Sequence, residues 1–392
     1  MYESLYVHIP FCKQRCAYCD FSTDAASQDD PRMDAYLEFL IRDIRALTRA
    51  GELEHIRTLY LGGGTPTHFG HSRLVELAYT LSLSIRLEQV EEYTVEANPE
   101  SLTPALVKDL YALGVGRLSL GVQSLVDSEL VTLGRVHDAE QAIQAVQCAR
   151  ERFGNLSLDL ICGIPGQTTE SWQFSLDQAL QLQPEHLSIY PLQIEEGTSL
   201  AQAVARGELP HGDDDEQAEF LLQAASTLQA AGYQRYEVAS YAKPGKESKH
   251  NCRYWMGISY LGIGCGAASM LNKQDGTRER WRNGDAQELN GETKGHCIKE
   301  EQELLSASEA AAEDLLLGMR MSRGISAQQL SQVAPLLPQA KDLFEELQQL
   351  DLLAYRENCY RPTEKGWLLG NELYQRIWGL TTRTAGQAEG GE

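Results

Sequence analysis

Short apolar runs alternate with amphipathic segments along the first half of the chain. β-Rich runs occupy residues 5–9, 58–61, 93–97, 117–121, 158–161 and 187–190, and segments of helical periodicity such as DAYLEFLIRDIRAL and TPALVKDLYALG separate them. This alternation is typical of βα units around a parallel sheet. We count six units, whereas a complete barrel has eight. The pattern therefore predicts an α/β partial barrel, (β/α)6, over residues 1–212, open at one side.

The pattern changes after residue 212. Residues 213–232, DDDEQAEFLLQAASTLQAAG, predict a helix that begins with acidic residues and ends at a glycine. A Gly- and aromatic-rich segment follows to about residue 272, and residues 273–300 are polar and loop-like, so we group 213–300 as a second region. Over residues 301–380, helices precede a predicted hairpin, LLAYRENCYRPTEKGW, as in a small winged-helix-like α+β domain. Residues 381–392 have the composition of a disordered tail.

Hydropathy and charge exclude two classes of partner. No stretch approaches the roughly 20 apolar residues of a membrane span, and the first residues form no basic leader, so we expect a cytoplasmic protein. The net charge of −22 argues against nucleic-acid binding, because that affinity rests on Lys and Arg neutralising phosphates. The winged-helix-like region is acidic as well, with 13 acidic against 8 basic side chains over residues 303–392, so we do not expect it to bind nucleic acid.

The predicted strands are followed by loops that carry chemistry. In chain order these are a cysteine loop, GGGTPT, EANPE, GVQS, GIPGQ and PLQIEEGTS. Loops at the carboxyl ends of parallel strands meet at one edge of the sheet, where such folds bind ligands. We therefore expect one ligand site at that edge.

Three cysteines in the first loop, Cys12, Cys16 and Cys19, follow the spacing C-x3-C-x2-C. Three thiolates can each bind one iron of a [4Fe–4S] cubane and leave the fourth iron open to a substrate. The alternative is a structural zinc site completed by His8 or a distant cysteine, although zinc normally takes four ligands in paired motifs and only one C-x2-C pair is present. The total of nine cysteines is odd and suits a reducing compartment better than a disulfide framework.

The segments YVHIPFCKQRCAYCDF and LGGGTPT together resemble the radical S-adenosylmethionine superfamily, and within it the branch that includes oxygen-independent coproporphyrinogen III oxidase. The resemblance extends from about Leu5 to Trp378. It implies that the three cysteines bind the cluster, that Tyr18 is the family's aromatic residue between the last two of them, and that the fourth iron chelates the methionyl amine and carboxylate of S-adenosylmethionine. Reductive cleavage of this cofactor gives a 5′-deoxyadenosyl radical.

The same resemblance implies a pocket for S-adenosylmethionine. It assigns the glycine loop to the methionyl amine, and glycines allow a close backbone approach. A carboxylate can accept hydrogen bonds from ribose hydroxyls, and an arginine can pair with a ligand carboxylate. Without the resemblance, GGGTP is more often a tight turn and the other residues ordinary polar groups of a barrel rim. The residues implied are Gly62, Gly63, Gly64 and Thr65 in the loop, and Tyr6, Glu96, Gln123, Arg135 and Asp159 around the pocket.

Two features separate this sequence from the decarboxylating members of the branch. Those members carry a further cysteine two positions after the third, where this chain has Phe21, and an extension before the first strand, which here begins almost at once. Both features match a sister group of haem chaperones, which is also marked by H-N-x-x-Y-W. This chain has His250, Asn251, Tyr254 and Trp255 in that pattern.

The resemblance to that sister group implies a haem carrier. His250 would be the axial ligand of haem, Arg253 could pair with a propionate, and Cys252 is a rival ligand. Haem would pass to haem-accepting client proteins, with the cluster needed for homodimer formation or for transfer. The competing hypothesis is a radical enzyme that abstracts hydrogen from a tetrapyrrole propionate. Without the resemblance, a histidine beside Asn, Tyr and Trp is more often a structural hydrogen-bonding residue.

Overall fold

The computed structural model describes residues 1–284 and 299–381. Its strands are Ser4–Ile9 (β1), Phe11–Cys12 (β2), Asp24–Ala25 (β3), Thr58–Gly63 (β4), Glu92–Ala97 (β5), Arg117–Gln123 (β6), Leu156–Cys162 (β7), His186–Pro191 (β8), Gln234–Arg235 (β9), Ser240–Ala242 (β10), Tyr260–Ile263 (β11), Ala268–Asn272 (β12), Arg278–Asn283 (β13), Lys299–Leu305 (β14), Ile325–Ser326 (β15), Leu353–Arg356 (β16) and Cys359–Pro362 (β17).

Helices cover the sheet and build most of the carboxyl-terminal part. They are Pro31–Arg49 (α1), His71–Ser84 (α2), Pro104–Ala112 (α3), Asp127–Thr132 (α4), Ala139–Arg150 (α5), Thr169–Gln181 (α6), Ser199–Ala205 (α7), Asp214–Ala230 (α8), Lys249–Trp255 (α9), Ala307–Gly318 (α10), Ala327–Val333 (α11), Ala340–Gln349 (α12), Glu364–Leu368 (α13) and Gly370–Trp378 (α14).

The strands β1, β4, β5, β6, β7 and β8 are parallel and adjacent in chain order. They confirm the six predicted strands, whose ends differ from the observed ones by no more than two residues. The connecting helices begin where the sequence places capping residues; for example, Thr103 accepts a hydrogen bond from the amide of Leu106 at the start of α3. The predicted α/β partial barrel is therefore confirmed.

The sheet continues beyond the six parallel strands on both sides. β11 pairs in parallel with β1 and leads to β12, β13 and β14, while β10 and β9 follow β8, which gives a sheet of twelve strands. The prediction that residues 273–300 are loop-like holds for the turn at 273–277 but is wrong for β13 and for the start of β14, which are strands. The polar face of β13 carries Arg278 and Arg280, which pair with acidic groups, while Trp281 is buried on the other face.

The described residues form two large apolar cores and a small third cluster around Leu133, Ile164 and Leu200. The largest core lies between the sheet and the helices around it, where alternate residues of each strand, such as Leu5, Val7 and Ile9, are fully buried. The second core joins α10, α12 and α14 to the three-stranded sheet β15–β17–β16. The predicted hairpin is β16–β17, so the winged-helix-like reading of this region is also confirmed.

Some predictions concern boundaries or residues beyond this description. The divisions after residues 212, 300 and 380 stay predictions, and the predicted tail lies outside the described residues from 382 onward. Within residues 1–284 and 299–381, no helix has the length and apolar character needed to cross a membrane.

Candidate functional site

The cysteine loop leaves the carboxyl end of β1 and is fixed at several points by backbone hydrogen bonds. The short strands β2 and β3 pair in parallel and hold its two ends together. Between them, the amide of Ala17 donates to Leu133 O at 2.9 Å, and the carbonyl of Ala17 accepts from the amide of Leu200 at 2.8 Å. Gly134 packs closely against Ala17: a Cβ on Gly134 would lie only 3.0 Å from the backbone nitrogen of Ala17. The loop therefore has one defined conformation.

This loop covers a cavity of about 490 Å³ at the carboxyl-terminal edge of the sheet. The cavity brings together most of the residues implied by the sequence, from the strands β4, β5, β6 and β7 and from the loops after β1, β4 and β6. Three of them stay outside its lining: Tyr6 lies beside it, Gly62 lies in β4 against the Glu96 carboxylate, and His250 lies at the other end of the barrel. The lining includes Cys12, Cys16, Tyr18, Cys19, Gly63, Gly64, Thr65, Glu96, Gln123, Arg135 and Asp159.

Tyr6 lies next to the cavity and contacts His8. His8 Nε2 is 3.0 Å from the carbonyl of Ser22, which can only accept, so Nε2 carries the hydrogen and Nδ1 accepts from the Tyr6 hydroxyl at 3.1 Å. Both ring nitrogens of His8 therefore have partners within the protein. Ligation of zinc by His8 would require it to give up one of these hydrogen bonds.

The three glycines at the end of β4, Gly62, Gly63 and Gly64, lie so close to neighbouring groups that a larger side chain would clash. A Cβ on Gly63, whose φ is +117°, would lie 2.7 Å from the His8 ring, and a Cβ on Gly64 would lie 2.9 Å from Cys12 Sγ. A Cβ on Gly62 would lie 2.8 Å from the Glu96 carboxylate. The glycine loop therefore lets the backbone approach both the cysteine loop and a cavity carboxylate.

Two carboxyl groups, Glu96 and Asp159, face the interior of the cavity. Burial raises the pKa of Glu96 to about 7, hydrogen bonds from the Tyr60 hydroxyl (2.7 Å) and Gly63 N (3.2 Å) oppose that shift, and the nearby charge of Asp159 adds to it. Burial also raises the pKa of Asp159, against hydrogen bonds from hydroxyl groups that include that of Ser119. These carboxyl groups are suited to accept hydrogen bonds from ligand hydroxyls.

Backbone irregularity aims Gln123 into the cavity. The pairing of β6 with β7 shifts register between Gly121 and Gln123, and Gln123 has a φ of 68°, in the left-handed region that is uncommon for residues other than glycine. Such outliers concentrate at ligand sites.

Arg135 reaches the cysteine loop from the segment after α4. Its Nη1 donates to Cys16 Sγ at 3.3 Å, and its Nη2 donates at 2.8 Å to both Asn98 Oδ1 and Gly121 O. Burial alone would lower the pKa of Arg135, but the neighbouring Tyr18 and Cys16 raise it overall. Its Nε is buried and has no hydrogen-bond partner among residues 1–284 and 299–381.

The residues present fit a [4Fe–4S] cluster. Among residues 1–284 and 299–381, no three His, Cys, Asp or Glu side chains converge as a mononuclear metal site. The three thiols instead line one cavity, and in a cubane each thiolate binds a different iron. Thr65 Oγ1 donates to Cys12 Sγ at 3.5 Å, and Arg135 donates to Cys16 Sγ. Hydrogen bonds of this kind to cysteine sulfurs tune the reduction potentials of iron–sulfur clusters.

Sequence reasoning missed two residues of this site. Asn98 lines the cavity between Thr65 and Arg135, and Tyr60 donates to Glu96 from inside the barrel. Asn98 belongs to the loop EANPE, so its position after β5 was the available signal. Tyr60 lies in the middle of β4, where nothing in the local sequence distinguishes it from a core residue.

The H-N-x-x-Y-W segment forms α9 and closes the opposite end of the barrel. Its contacts are to the first residues of the strands: Glu92 at the start of β5 accepts from the amides of Lys249 (2.9 Å) and His250 (3.0 Å), and Thr58 at the start of β4 contacts the His250 ring. The cysteine loop and α9 therefore lie at opposite edges of the parallel sheet.

His250 is fully buried and both of its ring nitrogens are hydrogen bonded. The Thr58 hydroxyl donates to Ser4 Oγ at 3.0 Å, so its oxygen accepts from His250 Nδ1–H at 2.9 Å. His250 Nε2 then accepts from the Tyr254 hydroxyl at 2.8 Å. Burial lowers the pKa of His250 to about 3, with Arg253 adding to the shift. The imidazole is therefore neutral, and Tyr254 covers its free lone pair.

Comparison with known proteins places this geometry in a family. Residues 6–179 match the model of the radical SAM superfamily and residues 305–369 that of the HemN C-terminal domain. The chain is 34% identical to the haem chaperone HemW of Bacillus subtilis over 96% of its own length and 99% of that protein. It is 37% identical to HemW of Escherichia coli over 70% of its own length and 71% of that protein.

A solved structure has the same fold. The E. coli coproporphyrinogen III oxidase, described as a radical SAM enzyme, superimposes with a TM-score of 0.79 at 23% identity, covering 97% of this chain and 90% of the oxidase. The fold is therefore common to the oxidase and this chain, whereas the sequence is nearer to the HemW proteins. On this evidence the chain belongs to the HemW family within the radical S-adenosylmethionine superfamily.

Proposed function

We propose that this protein is a cytoplasmic haem chaperone that carries a [4Fe–4S] cluster and S-adenosylmethionine and transfers haem to haem-requiring client proteins. The observation that carries the proposal is the 34% identity to a protein named a haem chaperone, which extends over 96% of this chain and 99% of that protein. The cluster would bind Cys12, Cys16 and Cys19. When bound, it supplies a redox centre with one iron open to the amine and carboxylate of S-adenosylmethionine.

The protein's own groups would orient the cofactors. Thr65 and Arg135 donate to Cys12 and Cys16, and Glu96 and Asp159 would accept from the ribose hydroxyls. The glycine loop would bring backbone groups to the methionyl amine, with Tyr6, Tyr18 and Gln123 completing the walls. The covering loop and the buried barrel floor would keep water from the site.

The haem site is assigned to α9, with His250 as axial ligand. Ligation through Nε2 requires the Tyr254 hydroxyl to turn away, because that lone pair accepts its hydrogen bond. Cys252 is the weaker candidate, since burial raises the pKa of its thiol to about 12 and haem ligation by cysteine uses the thiolate. We therefore propose that haem binding is coupled to a local rearrangement of α9.

A haem titration tests this assignment. After anaerobic cluster reconstitution, haem is added to wild type, His250→Ala and Tyr254→Phe, and the Soret band gives stoichiometry and affinity. We expect one haem per chain in wild type, at least tenfold weaker binding in His250→Ala, and tighter binding in Tyr254→Phe because its ring leaves Nε2 free. Light scattering of the same samples tests the proposed homodimer.

The chain offers a matched control for that experiment. His186 is also fully buried, with Ser157 2.7 Å from Nδ1 and the Tyr236 hydroxyl 2.8 Å from Nε2, but it lies outside the motif. His186→Ala should leave haem affinity unchanged. Equal losses in His186→Ala and His250→Ala would assign the effect to packing and reject His250 as the ligand.

A radical enzyme acting on a tetrapyrrole is the second candidate, favoured by the well-formed cofactor cavity. Against coproporphyrinogen oxidation, Phe21 occupies the position of the oxidase group's extra cysteine, and its side chain is 68% exposed. Anaerobic incubation with coproporphyrinogen III, S-adenosylmethionine and a reductant separates the two functions. Decarboxylated product would favour the enzyme, and its absence beside haem binding would favour the chaperone.

A further inference from the structure

Asn98 occupies a central position between the glycine loop and the cysteine loop. It follows β5, its backbone amide donates to Thr67 Oγ1 at 3.3 Å, and its side chain lines the cavity. The glycine at position 121 makes room for it, because a Cβ there would lie 2.8 Å from Asn98 Oδ1. The side-chain amide of Asn98 therefore lies in contact with residues from both loops of the site.

The direction of its hydrogen bonds follows from its partners. Arg135 can only donate, so the Asn98 atom that it contacts at 2.8 Å is the amide oxygen. The amide nitrogen then faces Thr65 and donates to its Oγ1 at 3.0 Å. Because Thr65 Oγ1 accepts there, its own hydrogen is available to the sulfur of Cys12.

One side chain thus holds the donors to two of the three cluster-loop sulfurs. Arg135, fixed by Asn98, donates to Cys16 Sγ at 3.3 Å, and Thr65, fixed by Asn98, donates to Cys12 Sγ at 3.5 Å. Hydrogen bonds and positive charge at cluster sulfurs stabilise the more reduced, more negative state and so raise the reduction potential. A residue that fixes two such donors acts on that potential.

We propose that Asn98 is a positioning residue that sets the reduction potential of the [4Fe–4S] cluster through Thr65 and Arg135. It contacts neither iron nor sulfur directly. The inference rests on the cluster assignment made under Proposed function. It goes further, since it identifies Asn98 as the residue that links the hydrogen bonds to Cys12 and Cys16 and predicts that its loss lowers the reduction potential.

A redox titration followed by electron paramagnetic resonance tests this proposal. Wild type, Asn98→Ala and Thr65→Val are reconstituted anaerobically, checked for iron content, and titrated without S-adenosylmethionine. In Asn98→Ala we expect a lower midpoint, with the ratio of reduced to oxidised cluster at the wild-type midpoint falling about tenfold, which equals about 59 mV for one electron. Thr65→Val should show a smaller shift of the same sign, and Thr65→Ser should restore the wild-type value.

Ser101→Ala is the matched control. Ser101 lies in the same loop, where its hydroxyl contacts Thr67 Oγ1 at 2.6 Å and the backbone carbonyl of Asn98 at 3.1 Å, but it makes no hydrogen bond to the Asn98 side chain, Thr65 or Arg135. Its midpoint should equal that of wild type. An unchanged midpoint in Asn98→Ala would overturn the proposal whatever Thr65→Val shows, and Asn98→Ser, whose side chain is too short to hold both partners, decides it if Asn98→Ala takes up no cluster. Wild-type protein without a cluster would overturn the cluster assignment itself.

Discussion

At the scale of single residues, the barrel interior holds ionisable groups in an unusual state. Glu96 and Asp159 have raised pKa values because burial disfavours their charged forms. Arg117, fully buried nearby, offsets this in part through its charge, yet its Nε and Nη1 have no hydrogen-bond partner in the part of the chain that the structure describes. The buried carboxyl groups and Arg117 therefore destabilise the cofactor-free protein at neutral pH. Hydrogen bonds from ligand hydroxyls to the carboxyl groups would reduce this destabilisation.

The raised pKa of Glu96 predicts a pH-dependent stability. The unfolded carboxyl ionises near pH 4.5 and the folded one near pH 7, so the stability present below pH 4.5 is lost as pH rises to about 7. Glu96→Gln removes this dependence. We expect the substitution to be more favourable at pH 8 than at pH 5, by about 2–3 kcal/mol in the free energy of unfolding.

Urea unfolding of the cofactor-free protein at the two pH values measures that difference. Taking the difference between pH values cancels the constant cost of altering the hydrogen bonds from Tyr60 and Gly63. Glu195→Gln is a control at the cavity rim. An identical effect of Glu96→Gln at pH 5 and pH 8 would contradict the raised pKa.

Sequence reasoning identified residues of this site where local signals exist. The cysteines and the glycine loop follow strand ends in short motifs, and the structure brings them to one cavity. Asn98 and Tyr60 were missed because their roles depend on partners from other strands, Arg135 and Glu96, which no local pattern encodes. The burial of His250 and its bond to Tyr254 likewise arise only when α9 meets the barrel.

At the scale of elements, one carboxylate of the barrel, that of Glu92, holds the first residues of α9. Glu92 accepts from Lys249 N, His250 N and, at 3.3 Å, Ser248 Oγ, so it satisfies amides at the start of the helix that have no partner within it. The negative charge is also favourable at a helix amino terminus. The position of His250 thus depends on a residue of β5.

This attachment predicts a marked effect of Glu92→Gln. The amide would turn an N–H group toward the helix amides and leave a buried donor unpaired, which costs about 1–3 kcal/mol. The neighbouring Glu91, whose side chain is 44% exposed and lies 3.4 Å from Arg253, provides the control. Glu91→Gln should cost less than about 1 kcal/mol. Urea unfolding measures both, and equal costs would show that Glu92 does not anchor α9.

The strand β13 shows where element prediction failed and why. Its sequence RERWRN has charged residues at alternate positions, which reads as a solvated loop. In the fold, that face meets acidic residues of α10, so the charges are paired and partly buried, while Trp281 packs into the main core. Polarity indicates a loop only when no oppositely charged element covers it, and this depends on tertiary structure.

At the scale of the whole molecule, the carboxyl-terminal domain is joined to the barrel near α9. The Arg320 guanidinium lies 4.4 Å from the centre of the Trp255 ring and 5.3 Å from that of Tyr374, and Glu237 forms a β-bridge with Met321. Trp255 belongs to α9, so a rearrangement of that helix on haem binding would be felt by the domain. If haem binds at α9 as proposed, the domain is therefore placed to respond to it.

A buried ion-pair cluster makes the second connection and carries the last prediction. Arg278 of β13 donates to Glu313 at 2.5 Å and to Asp314 at 2.6 Å, both in α10, and its side chain is only 3% exposed. Arg278→Met would leave Glu313 buried with one partner fewer, at a cost of about 3 kcal/mol. We expect a lower urea midpoint and faster proteolysis between the barrel and the domain.

Arg282, on the same strand, separates this effect from a general loss of charge. Its side chain is 52% exposed and lies 3.4 Å from Glu301, so Arg282→Met should change the free energy of unfolding by less than about 1 kcal/mol. If Arg278→Met were as mild, this ion-pair cluster would contribute little to holding the domain. In that case Arg320→Met, which removes the contact with Trp255, should lower the urea midpoint more than Arg278→Met does.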